Sequence, residues 1–185
     1  MTSEEQDVFD AEIKALVGAP MSRPGSSANP VNIPMIQRWA DAFCDHNPLY
    51  EDKDAAAETR HGDIFAPPAM MPVWSMARPK LDADSVRNGY TTEIDPSSPL
   101  LVFDKAGYFG NLMTNSEMEF ERQLRIGDSV NAESHVESIS ERKKTGLGYG
   151  YFVTFVTTFS DQHDEIVGRL RSTIFKFDPS TMGAA

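Results

Sequence analysis

The sequence contains one cysteine, Cys44, among 185 residues, which excludes an intrachain disulfide and a cysteine-based metal cluster. No apolar run approaches the roughly 20 residues that span a bilayer, and the acidic N-terminus lacks the apolar segment of a secretory signal. Basic residues are few, because 17 Lys and Arg face 28 Asp and Glu for a net charge of −11. That charge argues against nucleic acid as a partner. We expect a soluble, reduced, cytoplasmic protein with no membrane contact and no metal site.

The chain also lacks any linker-like stretch in its middle, so its length favours a single domain with a substantial core. We predict an N-terminal helix and flexible loop over residues 1–28, one domain over 29–178 and a tail over 179–185. Ser3, with Gln6 three residues later, predicts a capping box at the start of the first helix.

A second helix is predicted from Pro34 to Cys44–Asp45, just before the turn Asn47-Pro48. Its apolar face is formed by residues at helical spacing, Met35, Ile36, Trp39, Ala40 and Phe43. Cys44 follows Phe43, and we expect a small buried thiol there rather than a nucleophile, which would need a nearby histidine and a lowered pKa.

Residues 66–76 are apolar on nearly every side, which is typical of a short buried helix. Pro72 inside this stretch predicts that the helix is short or kinked. The following segment, Ala77–Asp104, is polar and contains several prolines, and we predict a long surface excursion there.

The second half of the chain has the alternating, β-branched and aromatic pattern of strands. Strands are predicted at Met113–Leu124, from Val130 to Ser138, over 148–160 and over 169–178, with a charged turn at 141–148. Helices followed by an antiparallel meander indicate the α+β class, with the sheet wrapped around the short buried apolar helix at about 66–76.

Three sequence blocks resemble the MaoC-like (R-specific) enoyl-CoA hydratase hot-dog family. F-C-D-H-N-P-L-Y resembles the hydratase motif Gly-Asp-x-Asn-Pro-x-His, I-F-A-P-P-A-M-M resembles the start of the hot-dog helix, and F-E-R-Q-L-R-I-G-D-S-V resembles a family strand and turn. Asn-Pro-Leu-Tyr with Ala-Pro-Pro is typical of the FAS1-like dehydratase N-terminal subgroup. Within it, the chain is similar to the MaoC subunit of steroid side-chain enoyl-CoA hydratases of bacterial sterol degradation. The resemblance implies a single hot-dog fold and an acyl-CoA substrate, with no cofactor beyond the coenzyme A that the substrate carries.

In this family an Asp and a His add water to a 2-enoyl-CoA, and a backbone N–H at the helix start polarises the thioester carbonyl. Asp45 matches the Asp, but Tyr50 stands at the His position and Pro67-Pro68 stands at the His-Gly of the helix start. A phenol with a pKa near ~10 is a poor base at neutral pH, and proline has no N–H. Ala69 still carries an amide, so the carbonyl-polarising site is impaired rather than excluded.

Each candidate residue also has a structural interpretation. Asp45 either takes a chemical role or only accepts a hydrogen bond in the Asn47 turn, and His46 is expected to be an exposed residue at the helix end. Five residues are predicted either to contact the acyl group or to form part of the core: Phe65, Met70, Met71, Trp74 and Tyr108. Three basic residues are predicted either to contact the phosphates of coenzyme A or to form a solvated turn: Arg142, Lys143 and Lys144.

These departures from the motif predict a non-catalytic, acyl-binding subunit of a heteromeric enoyl-CoA hydratase, and the resemblance implies a bulky or steroid side chain as its substrate. A partner hot-dog subunit would supply the Asp/His pair in a heterodimer or heterotetramer. Two alternatives stay open: a self-sufficient hydratase or thioesterase using Asp45 with His46 or Tyr50, and a non-enzymatic acyl-CoA binding module.

Overall fold

The computed structural model describes residues 2–21, 25–76 and 98–183. Helix α1, Ser3–Lys14, begins with a capping box in which Thr2 and Glu5 bond each other's backbone amides. The predicted box at Ser3 and Gln6 is therefore wrong by one residue. Both pairs have suitable spacing, but the Glu5 carboxylate is the stronger acceptor, and the Gln6 side chain is engaged elsewhere in the fold.

Helix α2, Ile33–Phe43, begins as predicted from the sequence. The Asn32 side chain accepts a hydrogen bond from the Met35 amide at 3.1 Å, and a proline occupies the first turn. A 3₁₀ turn at Pro48–Tyr50 and helix α3, Lys53–Ala57, follow. No helix within the described ranges is long and apolar enough to span a membrane.

The buried apolar helix is short. A 3₁₀ turn at Pro68–Met70 leads into helix α4, Met71–Trp74, and the side chains of Met70, Met71 and Trp74 are buried. Pro72 lies in the first turn of α4, where the missing N–H costs no helical hydrogen bond. The proline is therefore compatible with a helix start rather than a kink.

The predicted surface excursion, Ala77–Asp104, lies outside the described residues over 77–97. Its described end is not a simple surface loop, because helix α5, Leu101–Lys105, forms there. Phe103 of α5 is fully buried, and the Asp104 carboxylate accepts a hydrogen bond from the buried Lys176 ammonium at 2.5 Å. These two contacts attach α5 to the sheet.

Within the described ranges, six strands form one antiparallel sheet in the order β1-β3-β5-β6-β2, with β4 paired to β5. The strands are β1 Gly25–Ser26, β2 Gly110–Phe120, β3 Asn131–Ile139, β4 Lys143–Thr145, β5 Gly148–Ser160 and β6 Ile166–Phe177. The α+β prediction is confirmed, but β2 begins three residues before the predicted Met113 and ends at Phe120. Strand β4 occupies part of the predicted charged turn.

The two edges of the sheet differ. The outer edge of β3 is covered by β1 and by the chain before it, where Gly18 and Ala19 exchange backbone hydrogen bonds with Val136. Among the described residues, β2 pairs only with β6. An unpaired strand of this length is a template for pairing with another chain.

The described core forms two hydrophobic clusters. The first surrounds α4 and includes Tyr50, Phe65, Met71, Trp74, Phe159 and Val167. The second lies under α1 and α5 and includes Phe9, Ile13, Phe103, Tyr108, Tyr151 and Ile174. Helices α1 and α5 therefore bury a part of the sheet that α4 is too short to reach.

Helix α1 is also fixed by buried polar contacts. The Tyr151 hydroxyl donates to the Asp10 carboxylate at 2.5 Å, and the Gln6 amide donates to the Tyr151 oxygen at 2.6 Å. Burial, and then the bond to Asp10, raise the pKa of the Tyr151 phenol above its ordinary value. The N-terminal helix is thus joined to β5 by both apolar and polar contacts.

A charged cluster fixes the chain after β2. The Arg122 guanidinium contacts Asp128 at 2.7 Å and Asp161 at 2.6 Å, and Asp161 also accepts the amides of His163 and Glu165. Burial alone would raise the pKa of Asp161, but these amides and Arg122 outweigh it and lower the pKa. The cluster holds the residues after β2 against the β5–β6 turn.

Replacing Asp161 by asparagine is expected to lower the free energy of unfolding by about 2–3 kcal/mol at pH 7. The amide oxygen can keep the turn hydrogen bonds, whereas the amide nitrogen faces the Arg122 donor. Because the folded-state pKa of Asp161 is lowered, its contribution is complete above the unfolded pKa of about 3.9 and disappears as the pH falls through the folded value. Urea unfolding of both proteins from pH 7 to 3 measures this. A stability difference that stays constant over that range would contradict the assignment.

Candidate functional site

The segment after α2 is a chain of short side-chain-capped turns. Asp45 donates its amide to the Ala40 carbonyl, and its carboxylate accepts the Asn47 amide at 3.1 Å. The Asn47 side chain in turn accepts the Leu49 amide at 3.1 Å. Asp45 therefore makes the turn contact that its structural interpretation predicts, and this contact uses one of its two oxygens.

Cys44 does not have the environment predicted from the sequence. It caps α2 in the left-handed conformation, with φ 52°, and its side chain is exposed. Phe43 is also largely exposed, and its ring packs against that of Trp39 at a tilt of 37°, with centroids 4.5 Å apart. The predicted buried thiol is wrong, because the left-handed cap turns the chain away from the helix face that carries the core residues. The His46 side chain is exposed, as expected.

Tyr50 lies where the family motif has its histidine. Its ring is buried and meets Phe65 edge to face, with centroids 5.6 Å apart. Burial raises the pKa of the phenol, the negative charge of Asp45 raises it further, and a hydrogen bond with Asn47 opposes them. A phenol whose pKa lies above its ordinary value of about 10 stays protonated at neutral pH and is not a general base there.

The start of the short helix offers few amide donors. The Ala66 amide is already bonded to the Leu124 carbonyl at 2.9 Å, and the Met70 amide is bonded to the Pro67 carbonyl. Pro67 and Pro68 have no N–H between them. Ala69, which is exposed, carries the first amide after the two prolines.

A pocket of about 230 Å³ lies between this helix start and the chain after β2. Its walls come from the helix segment and from the end of β2, and include Ala66, Pro68, Met71, Phe120, Arg122 and Leu124. The Met71 thioether lies directly over Gly168 of β6, because a Cβ at Gly168 would be 2.7 Å from its sulfur. The pocket is thus bounded by a flexible, polarisable side chain on its inner side.

The structure brings four of the five predicted acyl-contact residues together. Phe65, Met70, Met71 and Trp74 share the first core cluster. Tyr108 instead belongs to the second cluster, where its ring stacks on Phe9 with centroids 5.4 Å apart. Tyr108 therefore does not lie with the other four, because helix α1 covers it, and its sequence position gives no sign of that long-range contact.

The basic cluster lies at the opposite end of the sheet. Arg142, Lys143 and Lys144 are exposed, and the Arg142 guanidinium lies 4.4 Å from the centroid of the Tyr149 ring. Strand β4 pairs with the first residues of β5. Met71 lies against Gly168 of β6, which pairs with Phe159 near the other end of β5. At about 3.3 Å per residue these ends of β5 are about 30 Å apart. The cluster therefore does not face this chain's own helix start.

One wall of the pocket is formed by residues 120–124. The sequence pattern predicts only a strand and a turn there and gives no sign of a pocket. Phe120 and Leu124 are separated by three polar residues, E-R-Q, which breaks the strand alternation. That break is the one local sign that the strand ends at Phe120.

The geometry defines an α+β protein whose short buried helix borders a pocket lined by both apolar and polar side chains. A family model described as "FAS1-like, dehydratase domain region" matches residues 15–169. The chain therefore belongs to this family of MaoC-like hot-dog proteins, and the hot-dog prediction is confirmed.

Three relatives illustrate the similarity. The chain is 34% identical over 178 residues to the "Probable enoyl-CoA hydratase alpha subunit" of Thermomonospora curvata, covering 92% of this chain and 52% of the relative. It is 36% identical over 177 residues to the "3-oxo-4,17-pregnadiene-20-carboxyl-CoA hydratase alpha subunit" of Mycobacterium tuberculosis, covering 92% and 51%. A chain in the crystal structure of the ChsH1-ChsH2 complex from M. tuberculosis superposes with a TM-score of 0.77 at 33% identity, covering 96% of this chain and 94% of that one. The chain spans about half the length of the two curated relatives.

Proposed function

We propose that this chain is the non-catalytic, acyl-binding subunit of a heteromeric enoyl-CoA hydratase in the cytoplasm. The observation that carries the proposal is Tyr50, a buried phenol with a raised pKa at the position of the catalytic imidazole. The use of Asp45 as a turn acceptor and the two prolines at the helix start support the same conclusion.

In the proposed reaction, water adds across the double bond of a 2-enoyl-CoA. One O–H bond of water breaks, its oxygen bonds to the β-carbon, and a proton is delivered to the α-carbon. The Asp and His of a partner hot-dog subunit would perform the proton transfers. This chain would contribute the apolar surface around Met70, Met71 and Trp74, which holds the acyl group.

The partner surface in this proposal is strand β2. Its outer edge is unpaired among the described residues, and Met113 and Phe120 are about half exposed on the sheet face that elsewhere forms the core. Pairing with a partner strand would satisfy the free backbone groups and cover these side chains. The name of the ChsH1-ChsH2 complex describes an assembly of two different chains, which supports a heteromer here.

We extend the proposal to a bulky, polycyclic acyl group. The support is the printed name of the M. tuberculosis relative, a hydratase of a pregnadiene carboxyl-CoA. For coenzyme A, we propose phosphate contacts by Arg142, Lys143 and Lys144. Antiparallel pairing along β2 would bring the end of the sheet that carries β4 towards the partner's helix start. The basic cluster would then contact coenzyme A at the site on the partner's side of the interface.

The test is reconstitution with a hot-dog subunit that carries the complete Gly-Asp-x-Asn-Pro-x-His motif. The isolated chain is expected to hydrate a 2-enoyl-CoA at least about 100-fold more slowly than the complex, because general acid–base catalysis is worth about 10²–10⁴-fold. In the complex, Asp45→Asn and Tyr50→Phe are expected to keep kcat within about twofold, whereas changing the partner's His should abolish turnover.

Other outcomes would favour the alternatives. Robust turnover by the isolated chain, lost in Asp45→Asn or Tyr50→Phe, would identify a self-sufficient enzyme. Tight binding of acyl-CoA, with no gain in turnover on adding the partner, would identify a non-enzymatic binding module.

A further inference from the structure

Within the part of the chain that the structure describes, the indole N–H of Trp74 has no hydrogen-bond partner. Among the described residues, no other buried side-chain nitrogen or oxygen lacks a hydrogen-bond partner. Trp74 is only 2% exposed. Other buried polar groups have partners, as with Lys176 on Asp104 and Thr154 on Thr173. An unsatisfied buried donor costs about 1–3 kcal/mol, and such groups are rare enough in native proteins to need an explanation.

The position of Trp74 connects this donor to the pocket. Met71 lines the pocket, and Trp74 is three residues further along α4, so the two side chains lie on the same side of the helix, one turn apart. Both belong to the first core cluster, whose other described members are almost entirely apolar. Trp74 therefore lies one helical turn along α4 from the pocket wall.

The pocket as it stands is too small for a large acyl group. Its volume of about 230 Å³ is below the roughly 300–1,000 Å³ of sites that enclose drug-sized ligands. The Met71 side chain is unbranched and has several rotatable bonds. A change in its rotamer would extend the pocket along α4 towards Trp74.

We propose that the Trp74 indole N–H donates a hydrogen bond to an oxygen on the acyl group, remote from the thioester. The ligand class is therefore an acyl-CoA whose apolar skeleton carries a ketone or hydroxyl oxygen. This inference rests on the proposed acyl-binding function and deepens it, because it assigns Trp74 as the residue that selects oxygenated acyl groups. A site built to bond a substrate oxygen rejects the analogue that lacks it, because the donor is then left unpaired.

The experiment uses the complex with the catalytic partner and two saturated acyl-CoA thioesters that are not turned over. The two ligands are identical except that one carries a ketone at the far end of its ring system and the other a methylene group. Calorimetry is expected to give at least about tenfold tighter binding of the ketone, which corresponds to about 1.4 kcal/mol. In Trp74→Phe the ratio is expected to fall to about one, through weaker binding of the ketone alone.

A second measurement leaves Trp74 unchanged. The sequence has two tryptophans, so the ¹⁵N-labelled chain gives two indole cross-peaks in the complex, and Trp39→Phe assigns them. The Trp74 indole proton is expected to shift downfield with the ketone ligand and not with the methylene ligand. The half-buried Trp39 serves as the internal control.

The outcomes separate this inference from the proposed function. Binding of both ligands with equal affinity and no ketone-dependent shift at Trp74 would overturn the role of Trp74 and leave the acyl-binding function intact. A ketone preference that persists in Trp74→Phe would also overturn it. Failure of the complex to bind either thioester would overturn the proposed function, and the role of Trp74 with it.

Discussion

Replacing Ser116 by proline is expected to abolish assembly with the catalytic subunit and to lower hydratase activity of the mixture by at least about 100-fold. The Glu121 amide bonds inward to the Val167 carbonyl, and inward and outward amides alternate along an antiparallel strand. Between Asn115 and Phe120 the register with β6 is regular. The Ser116 amide therefore points to the free edge, and its loss removes no hydrogen bond to any residue that the structure describes.

Size-exclusion chromatography and sedimentation with the partner measure the assembly. Ser116→Ala is the matched control, because it keeps the backbone amide and is expected to assemble normally. Circular dichroism of the isolated variants checks that both remain folded, since proline is tolerated on an edge strand where its nitrogen faces outward. Unchanged assembly of the proline variant would exclude β2 as the pairing edge.

Replacing Gly168 by alanine is expected to lower the free energy of unfolding by about 3 kcal/mol or more. This is a large destabilisation for the addition of a single methyl group. A Cβ there would lie 2.5 Å from the Glu119 carbonyl oxygen and 2.7 Å from the Met71 sulfur. The Met71 side chain can move, but the Glu119 backbone is held in the β2–β6 ladder. The methyl group would therefore separate α4 from the sheet or distort the edge strand.

Urea unfolding of the isolated chain measures this effect. Gly146→Ala is the matched control, because a Cβ at Gly146 meets no atom within 4 Å and its cost is expected to stay within about 0.5 kcal/mol. If the two variants unfold at the same urea concentration, the close approach of Met71 and the Glu119 carbonyl to Gly168 does not limit stability.

Local patterns in the sequence predicted the elements that depend on near neighbours. The apolar spacing of α2 and the dense β-branched run of β5 indicate their own conformation, because each pattern matches one backbone period. The motif around Asp45 also led to the prediction of a non-catalytic subunit. A phenol for an imidazole at Tyr50, and proline for an amide donor at Pro67-Pro68, change chemistry in ways that require no coordinates.

The predictions of the first capping box and of the Cys44 environment failed because the local sequence pattern is compatible with more than one structure. Thr2 and Ser3 both begin a possible capping box, and the contact of Gln6 with Tyr151 on a distant strand, which helps to exclude the box at Ser3, is not visible in the local sequence. Cys44 follows an apolar helix face but occupies a left-handed cap that exposes it. In each case a backbone conformation or a distant partner decided the outcome.

The sequence by itself determined the α+β class and the family, and it led to the prediction that Tyr50 replaces the family histidine, since these depend on residue identity and short-range periodicity. Only the tertiary structure decided that Tyr108 lies under α1 rather than beside α4. It also decided that, among residues 2–21, 25–76 and 98–183, β2 forms a free edge and the buried Trp74 indole has no hydrogen-bond partner. The physical reason is that strand order, core membership and hydrogen-bond satisfaction depend on contacts between residues far apart in the chain, which no local pattern encodes.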